Sequence, residues 1–107
     1  MATQKTMEEI LSISDARNRV IPLIRFLAED SSNVYFSDHA MTRMEERGIT
    51  TLDVISCLRN GLVTERPHTD VHGNWRCTLQ HNISGDRVNV VAAIDEDKLI
   101  IIVVTSF

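Results

Sequence analysis

The fold of this chain is organised by residues 36–49, which read FSDHAMTRMEERGI. Ser37 or Asp38 can cap the first turn of a helix, and Gly48 is placed to end it in a left-handed conformation. The apolar side of this helix would be formed by Ala40, Met41 and Met44. The stretch therefore predicts a short helix with a defined start and end.

The polar side of the same helix carries one imidazole and two permanent cations. His39, Arg43 and Arg47 follow each other at intervals of four residues, so their side chains are neighbours along one helix face. Two interpretations fit this spacing. One is a functional face, and the other is an ordinary amphipathic helix whose arginines pair with the nearby carboxylates of Asp38, Glu45 and Glu46.

A second short helix is predicted directly after the first. Thr50-Thr51-Leu52-Asp53 has the form of a capping box, in which the threonine and the carboxylate each satisfy a backbone amide of the other. Asn60-Gly61 is a stop signal at its other end. The two helices are thus separated by only a short turn.

From Leu62 onwards the apolar period changes from helical to alternating, which indicates strands. Leu62 to Arg66 forms a short strand that Pro67 ends. The next strand turns Trp75, Cys77 and Leu79 towards a core and Arg76, Thr78 and Gln80 towards the opposite face. Further strands are predicted at two places: Val88 to Ile94, with alternation, and Leu99 to Val104, an apolar run typical of mid-sheet or of a strand covered on both faces.

The turns between the last three strands are short enough for hairpins, so these strands should form an antiparallel meander. The predicted fold is α+β, with N-terminal helices followed by a mostly antiparallel four-stranded sheet and the helices packed on one face. The core is predicted to contain Met44, Leu58, Trp75, Cys77, Leu79, Val88, Val90 and Ile94.

Residues 1–30 are predicted to form an N-terminal helical extension, because apolar residues recur there every three to four positions. Pro22 must kink this pattern or start another segment, so one kinked helix or two are both consistent with it. A turn is predicted at residues 30–33. The extension has more apolar positions than one short helix can hide, and we expect it to cover the sheet or to form a homodimer.

The length fits a single domain over residues 1–107, and the composition is that of a soluble globular protein, with 43% hydrophobic and 24% charged residues. We expect a cytoplasmic location, because neither a secretory signal nor a membrane span is apparent. Cys57 and Cys77 should be reduced and buried. The net charge of −4 argues against a protein that coats nucleic acid non-specifically, although nine of the eleven basic residues are arginine.

The chain also carries a resemblance. His39-Ala40, Arg43, Arg47-Gly48-Ile49, Trp75-Arg76 and the final Val103-Val104-Thr105 resemble the family called domain of unknown function 4258. That family in turn resembles the BrnT and RelE groups of small bacterial toxins. The resemblance covers residues 35–107, implies a RelE-like core there, and carries the family positions over to His39, Arg43, Arg47, Arg76 and Thr105.

The resemblance implies a toxin of a toxin-antitoxin system that acts as a metal-independent endoribonuclease. Such cleavage needs a base, an acid and cations for the charge on the phosphorane. His39 would be base or acid, and Arg43, Arg47 and Arg76 would clamp the phosphate. Substrate would be oriented by Thr78, Gln80 or Thr105. The second proton-transfer group is not identified by the sequence; His81 and Glu46 are candidates by residue type.

The implied partners are RNA, including ribosome-bound mRNA, or a protein such as an antitoxin, and no cofactor is expected. A metal is also not expected: His68, Asp70 and His72 lie close together in sequence, but a closed site usually needs about four ligands. The alternative function is a non-catalytic regulator that binds protein or nucleic acid, either antitoxin-like or an inhibitor of a mobile element. The acidic net charge favours this alternative, and the His39 face favours the nuclease.

Overall fold

The computed structural model of the protein describes residues 16–107. Its first helix, α1, covers residues 16–27 of this range, and the helical assignment passes through Pro22, so no new segment starts at the proline. The apolar pattern predicted for residues 1–15 lies outside the described residues. Asp30 caps a 3-10 turn, Ser31–Asn33, where a turn was predicted.

The two predicted helices form with the predicted caps. α2 covers Asp38–Arg47; its N-cap Ser37 accepts a hydrogen bond from the Ala40 amide, and Gly48 follows in the left-handed conformation. α3 covers Thr51–Asn60 and begins with the complete Thr50–Asp53 capping box. Local sequence determines both helices, because each cap needs only residues within one turn of it.

The sheet has five strands, β1 (Val34–Phe36), β2 (Leu62–Thr69), β3 (Trp75–Ile83), β4 (Asp86–Asp95) and β5 (Ile100–Ser106), in the order β1-β5-β4-β3-β2. The prediction of four strands was wrong in one respect, because β1 adds a fifth strand that pairs in parallel with β5. Three residues are too few to show an alternating pattern. The remaining pairs are antiparallel, as predicted.

Two strand boundaries also differ from the prediction. β2 continues through Pro67 to Thr69, because an edge strand tolerates a residue without an amide donor and β2 has register shifts there. β5 extends to Ser106 and is a mid-sheet strand, but its burial alternates over Ile100–Val103, so only one of its faces is fully covered.

The β3–β4 connection is a two-residue hairpin turn. Ser84 and Gly85 have φ of 53° and 86°, the left-handed values that a type I′ turn requires at both positions. The turn fixes the register, so Ile83 lies opposite Asp86 and Arg76 lies opposite Ala93.

The core lies between the helices and one face of the sheet. α2 packs over β5, and α3 packs over β3 and β4. All residues of the predicted core are buried except Trp75, which is partly buried and packs against the others. α1 contributes Val20, Ile24 and Leu27 to this core, and Ala28, directly after the helix, also belongs to it.

α1 is also held to α3 by charge-assisted hydrogen bonds. The Arg25 guanidinium donates to the carbonyl oxygens of Leu58 (2.8 Å) and Gly61 (2.6 Å) at the end of α3. Arg59 donates in the other direction, to the carbonyl oxygens of Ala28 and Glu29. Carbonyls at a helix C-terminus lack intrahelical partners, so these arginines satisfy orphaned acceptors.

Within residues 16–107 no helix is long and apolar enough to cross a membrane.

Candidate functional site

The sheet has a second face, opposite the helices. One row of this face crosses all five strands, since Tyr35 pairs with Ile102, Ile102 with Ala93, Ala93 with Arg76, and Arg76 with His68. These residues alternate with Cys77 and the other core residues, and we call their side the open face. It changes in character across the sheet, because β1 and β5 present apolar side chains and β2 and β3 present polar ones.

Arg76 is the central cation of the polar half. Its Nη2 atom lies 3.6 Å from Asp70 Oδ2, and its side chain is 35% exposed. The Nε atom is buried and has no hydrogen-bond partner among the described residues. One donor of this guanidinium is therefore unsatisfied, which is uncommon for a buried group.

Asp70 anchors Arg76 from the loop between β2 and β3. Burial by itself raises the pKa of the Asp70 carboxyl. The backbone amides of Asn74 and His72, which donate to Asp70 Oδ1 at 3.0 and 2.9 Å, and the Arg76 charge together outweigh burial. The pKa of Asp70 is consequently lowered, and the carboxylate is a fixed anion at neutral pH.

A histidine and a glutamate lie beside Arg76 on β2. Thr78 Oγ1 donates to Glu65 Oε1 at 3.3 Å, and His68 Nδ1 lies 4.0 Å from the same oxygen. His68 Nδ1 also lies 3.1 Å from the carbonyl oxygen of Arg66. In the tautomer that donates to this carbonyl, Nε2 keeps a free lone pair. We call Glu65, His68, Asp70, Arg76 and Thr78 the β2–β3 cluster.

The sequence did not reveal Glu65 and His68 as partners of Arg76. Pro67 indicated the end of the strand, and His68 was assigned to a loop. In the structure two register shifts of β2 bring Glu65 opposite Thr78 and His68 opposite Arg76. No local pattern predicts such shifts, because they depend on the partner strand.

The other predicted substrate-orienting residues also lie on the open face. Gln80 donates from Nε2 to Asn89 Oδ1 at 2.9 Å. Thr105 pairs with Val91, which in turn pairs with Thr78, so both threonines share one row across three strands. Arg76, Thr78, Gln80 and Thr105 are therefore brought to one face, as the alternating pattern of β3 predicted for the first three.

The helix residues of the predicted site lie elsewhere. α2 packs against the sheet with Ala40 and Met44, which belong to the same core as Cys77. His39 and Arg47 are exposed, and Arg43 forms an ion pair of 3.5 Å with Glu46. His39, Arg43 and Arg47 share a helix over one face of the sheet, whereas Arg76 projects from the other.

The described part of the chain contains no arrangement of three or more His, Cys, Asp or Glu side chains suited to a metal ion. Cys57 and Cys77 are free and buried. Burial raises the pKa of Cys57 to about 12 and that of Cys77 to about 11. Neither thiol is therefore available as a nucleophile near neutral pH.

A family model matches most of the chain. The family model described as domain of unknown function (DUF4258) matches residues 36–106, which span α2, α3, β2, β3, β4 and all of β5. No curated protein matches the chain. Since the matched region is well over half of the sequence and includes both the α2 motif and the β2–β3 cluster, the chain belongs to the DUF4258 family.

Proposed function

We propose that this protein is a RelE/BrnT-like toxin of a toxin-antitoxin system. It acts in the cytoplasm and cleaves RNA without a metal ion. The observation that carries the proposal is the β2–β3 cluster. It places the titratable side chains of Glu65 and His68 on one accessible face of the sheet, together with the Arg76 guanidinium and the Thr78 hydroxyl. A RelE-like relationship is part of the same proposal. It is supported by the α+β architecture, with helices on one face of the sheet and a second face that residues 16–107 leave uncovered by helices.

The proposed reaction is attack of a ribose 2′-oxygen on the adjacent phosphorus. The Glu65 carboxylate takes the 2′-OH proton as the O2′–P bond forms. His68, as imidazolium, gives its proton to O5′ as the P–O5′ bond breaks, leaving a 2′,3′-cyclic phosphate and a 5′-hydroxyl. Histidine and glutamate suit these roles near neutral pH.

Arg76 stabilises the negative charge that grows on the phosphorane. It lies directly opposite His68 across the β2–β3 pair, where neighbouring Cα atoms are about 4.5–5.5 Å apart. To contact the phosphate, the guanidinium must leave Asp70 or bind both. Thr78, Gln80 and Thr105 line the path of the RNA on the same face.

His39, Arg43 and Arg47 are the second candidate centre for the same reaction, as the family resemblance implies. The open face is favoured because it brings Glu65 Oε1 within 4.0 Å of His68 Nδ1, whereas α2 places a single histidine beside its two arginines. A glutamate on the same helix, Glu46, is already paired with Arg43.

The test is cleavage of a labelled RNA, with and without ribosomes, by the full chain. We expect His68→Ala and Glu65→Gln each to lower the cleavage rate about 10²–10⁴-fold, the usual contribution of one acid or base. His39→Ala is the matched control and should cleave like wild type. A wild type that leaves RNA intact in both settings contradicts the nuclease, and loss only in His39→Ala moves the site to α2.

The alternative is a non-catalytic regulator that binds a protein, antitoxin-like or an inhibitor of a mobile element. The apolar half of the open face favours it, since Tyr35 is 55% exposed and lies beside the half-buried Ile102. Arg43 and Arg76 are also already paired with carboxylates. In that case induced expression leaves growth unchanged, and Tyr35→Ala weakens binding of the partner while His68→Ala does not.

A further inference from the structure

A cleft of about 360 Å³ lies at the end of the sheet, between the α2–α3 turn and the β3–β4 hairpin. Arg47 enters it from the C-terminal end of α2, and Arg87 enters it from the start of β4. The two arginines are far apart in sequence and reach one cleft only in the folded chain. The volume is within the range typical of small-molecule sites.

The two arginines of the cleft differ from the others that pack against the fold. Arg25, Arg43, Arg59 and Arg76 each donate to a carbonyl or pair with a carboxylate. Across residues 16–107, no ion pair or side-chain hydrogen bond engages Arg47 or Arg87. Arg47 and Arg87 are exposed residues that line one cleft and have no side-chain partner within residues 16–107, so they match an oxyanion, which arginine binds through two parallel hydrogen bonds.

The rest of the lining is mixed, and it indicates more than an inorganic ion. Asp53 and Asp86 contribute carboxylates, and the first of these also accepts the Thr50 amide in the α3 capping box. An inorganic phosphate offers these carboxylates no hydroxyl or amino group of a sugar or base. Carboxylates are, however, good acceptors for ribose hydroxyls and for amino groups of a base.

An apolar wall completes the cleft. Phe107 lines it and is 42% exposed, and the side chains of Ile49, Ile83 and Val88 lie around it. An exposed aromatic ring can stack on a planar base. A ligand with a phosphate, hydroxyls and a planar ring would use all three kinds of lining.

We propose that this cleft binds a nucleoside 5′-monophosphate group, with Arg47 and Arg87 on the phosphate and Phe107 against the base. The site does not rest on the proposed RNA cleavage. Thr78, the cluster member nearest to the cleft along β3, is five residues from Ile83, so the cleft is roughly 16 Å from the β2–β3 cluster. The cleft also assigns Arg47 a role separate from those of His39 and Arg43.

The experiment is titration of the isotope-labelled full chain with AMP, GMP, CMP and UMP, followed by NMR. Inorganic phosphate and adenosine serve as partial ligands. A nucleotide should shift the amide signals of Gly48, Ile49, Ser84 and Val88 in a saturable manner. Phosphate alone and adenosine alone should each bind at least about tenfold more weakly than a nucleotide. Phosphate lacks the stacked ring, and adenosine lacks the charge-assisted contacts to arginine.

The variants assign the contacts. Arg47→Ala and Arg87→Ala should each weaken binding about tenfold or more, because each removes a charge-assisted hydrogen bond. Phe107→Leu should weaken it as well. The matched control is Arg66→Ala, because Arg66 is an exposed arginine of β2. This variant should bind like wild type.

Three results overturn the proposal. They are the absence of saturable shifts around the cleft, equal binding by the arginine variants and wild type, and equal binding of phosphate and nucleotides. Retention of the wild-type amide spectrum in Arg47→Ala and Arg87→Ala excludes loss of folding as the cause of weaker binding. Saturation by a 5′-phosphorylated oligonucleotide but not a 5′-hydroxyl one would identify the phosphate source as an RNA end.

Discussion

Arg76 and Asp70 form an ion pair at the start of β3, with Nη2 and Oδ2 3.6 Å apart, and the carboxylate of this pair is only 10% exposed. Two backbone amides of the β2–β3 loop hold the same carboxylate. The pair therefore links the loop conformation to the position of the guanidinium on the open face. Its behaviour can be tested through stability and through activity.

Asp70→Asn should make stability less dependent on pH. Because the folded pKa of Asp70 is lowered from its ordinary value of 3.8, its contribution is present above that value and is lost as pH falls through the folded pKa. The variant should be less stable than wild type at pH 7, and the difference should begin to shrink only below about pH 4, as the pH approaches the lowered folded pKa. Urea unfolding at pH 7, 5 and 3 measures this. The control is Asp97→Asn, because Asp97 is an exposed carboxylate in a turn. If the free energies of unfolding of Asp70→Asn and wild type differed by the same amount at all three pH values, the prediction would be contradicted.

Arg76→Lys should impair the proposed RNA cleavage by about 10²-fold, the scale for losing one well-placed donor to a developing charge. Lysine keeps the charge but has no planar fork for phosphate. Single-turnover cleavage of a labelled RNA measures the rate. Arg17→Lys, on the exposed side of α1, should cleave like wild type. If Arg76→Lys is equally active, the guanidinium does not contact the phosphate.

Gly61→Ala should destabilise the protein by roughly 1–3 kcal/mol, the usual cost of overpacking. A Cβ at this position would lie 2.5 Å from the Cys57 carbonyl oxygen and 3.0 Å from that of Gln80. Both contacts are backbone atoms, so neither can move aside cheaply. Urea unfolding gives the free energy, and Asn60→Ala, at the adjacent exposed helix position, should remain close to wild type. Equal stability of the glycine variant would show that α3 and β3 can separate.

Cys57 and Cys77 should resist a thiol reagent in the folded protein. Their thiolates are suppressed because burial raises the two pKa values to about 12 and about 11, against the ordinary value of 9.0. Labelling with Ellman's reagent at pH 8 should be slow, and both thiols should react at once in concentrated urea. Fast labelling without denaturant would mean that the core between α3 and β3 opens easily.

Phe26→Glu should weaken self-association, which was predicted for residues 1–30. Phe26 is 68% exposed on α1, whereas Val20, Ile24 and Leu27 of the same helix are buried in the core of their own chain. Burial of one aromatic side chain in a homodimer should change its dissociation constant at least about tenfold. Sedimentation of the full chain measures the dissociation constant. The control is Val71→Glu, because Val71 is an exposed apolar residue of the β2–β3 loop. A monomeric wild type would remove the basis for this prediction.

Local signals were sufficient for most elements of the fold. The caps Ser37 and Gly48, the capping box at Thr50 and the alternation of Trp75 to Gln80 are each read within a few residues, and all appear in the structure. The α+β class follows from their order along the chain. The arginine-rich α2 motif and Trp75-Arg76 were also enough to indicate the family that the comparison shows.

The site depended on contacts between residues distant in sequence. The pairing of β1 with β5 and the passage of β2 through Pro67 are stabilised by partner strands, so no short segment encodes them. The β2–β3 pairing placed His68 opposite Arg76 and Glu65 opposite Thr78. The packing of the helices on the sheet brought Arg47 and Arg87 into one cleft and put His39 over the opposite face of the sheet. Sequence spacing shows which side chains share an element, but only the register and packing of different elements decide which of them meet.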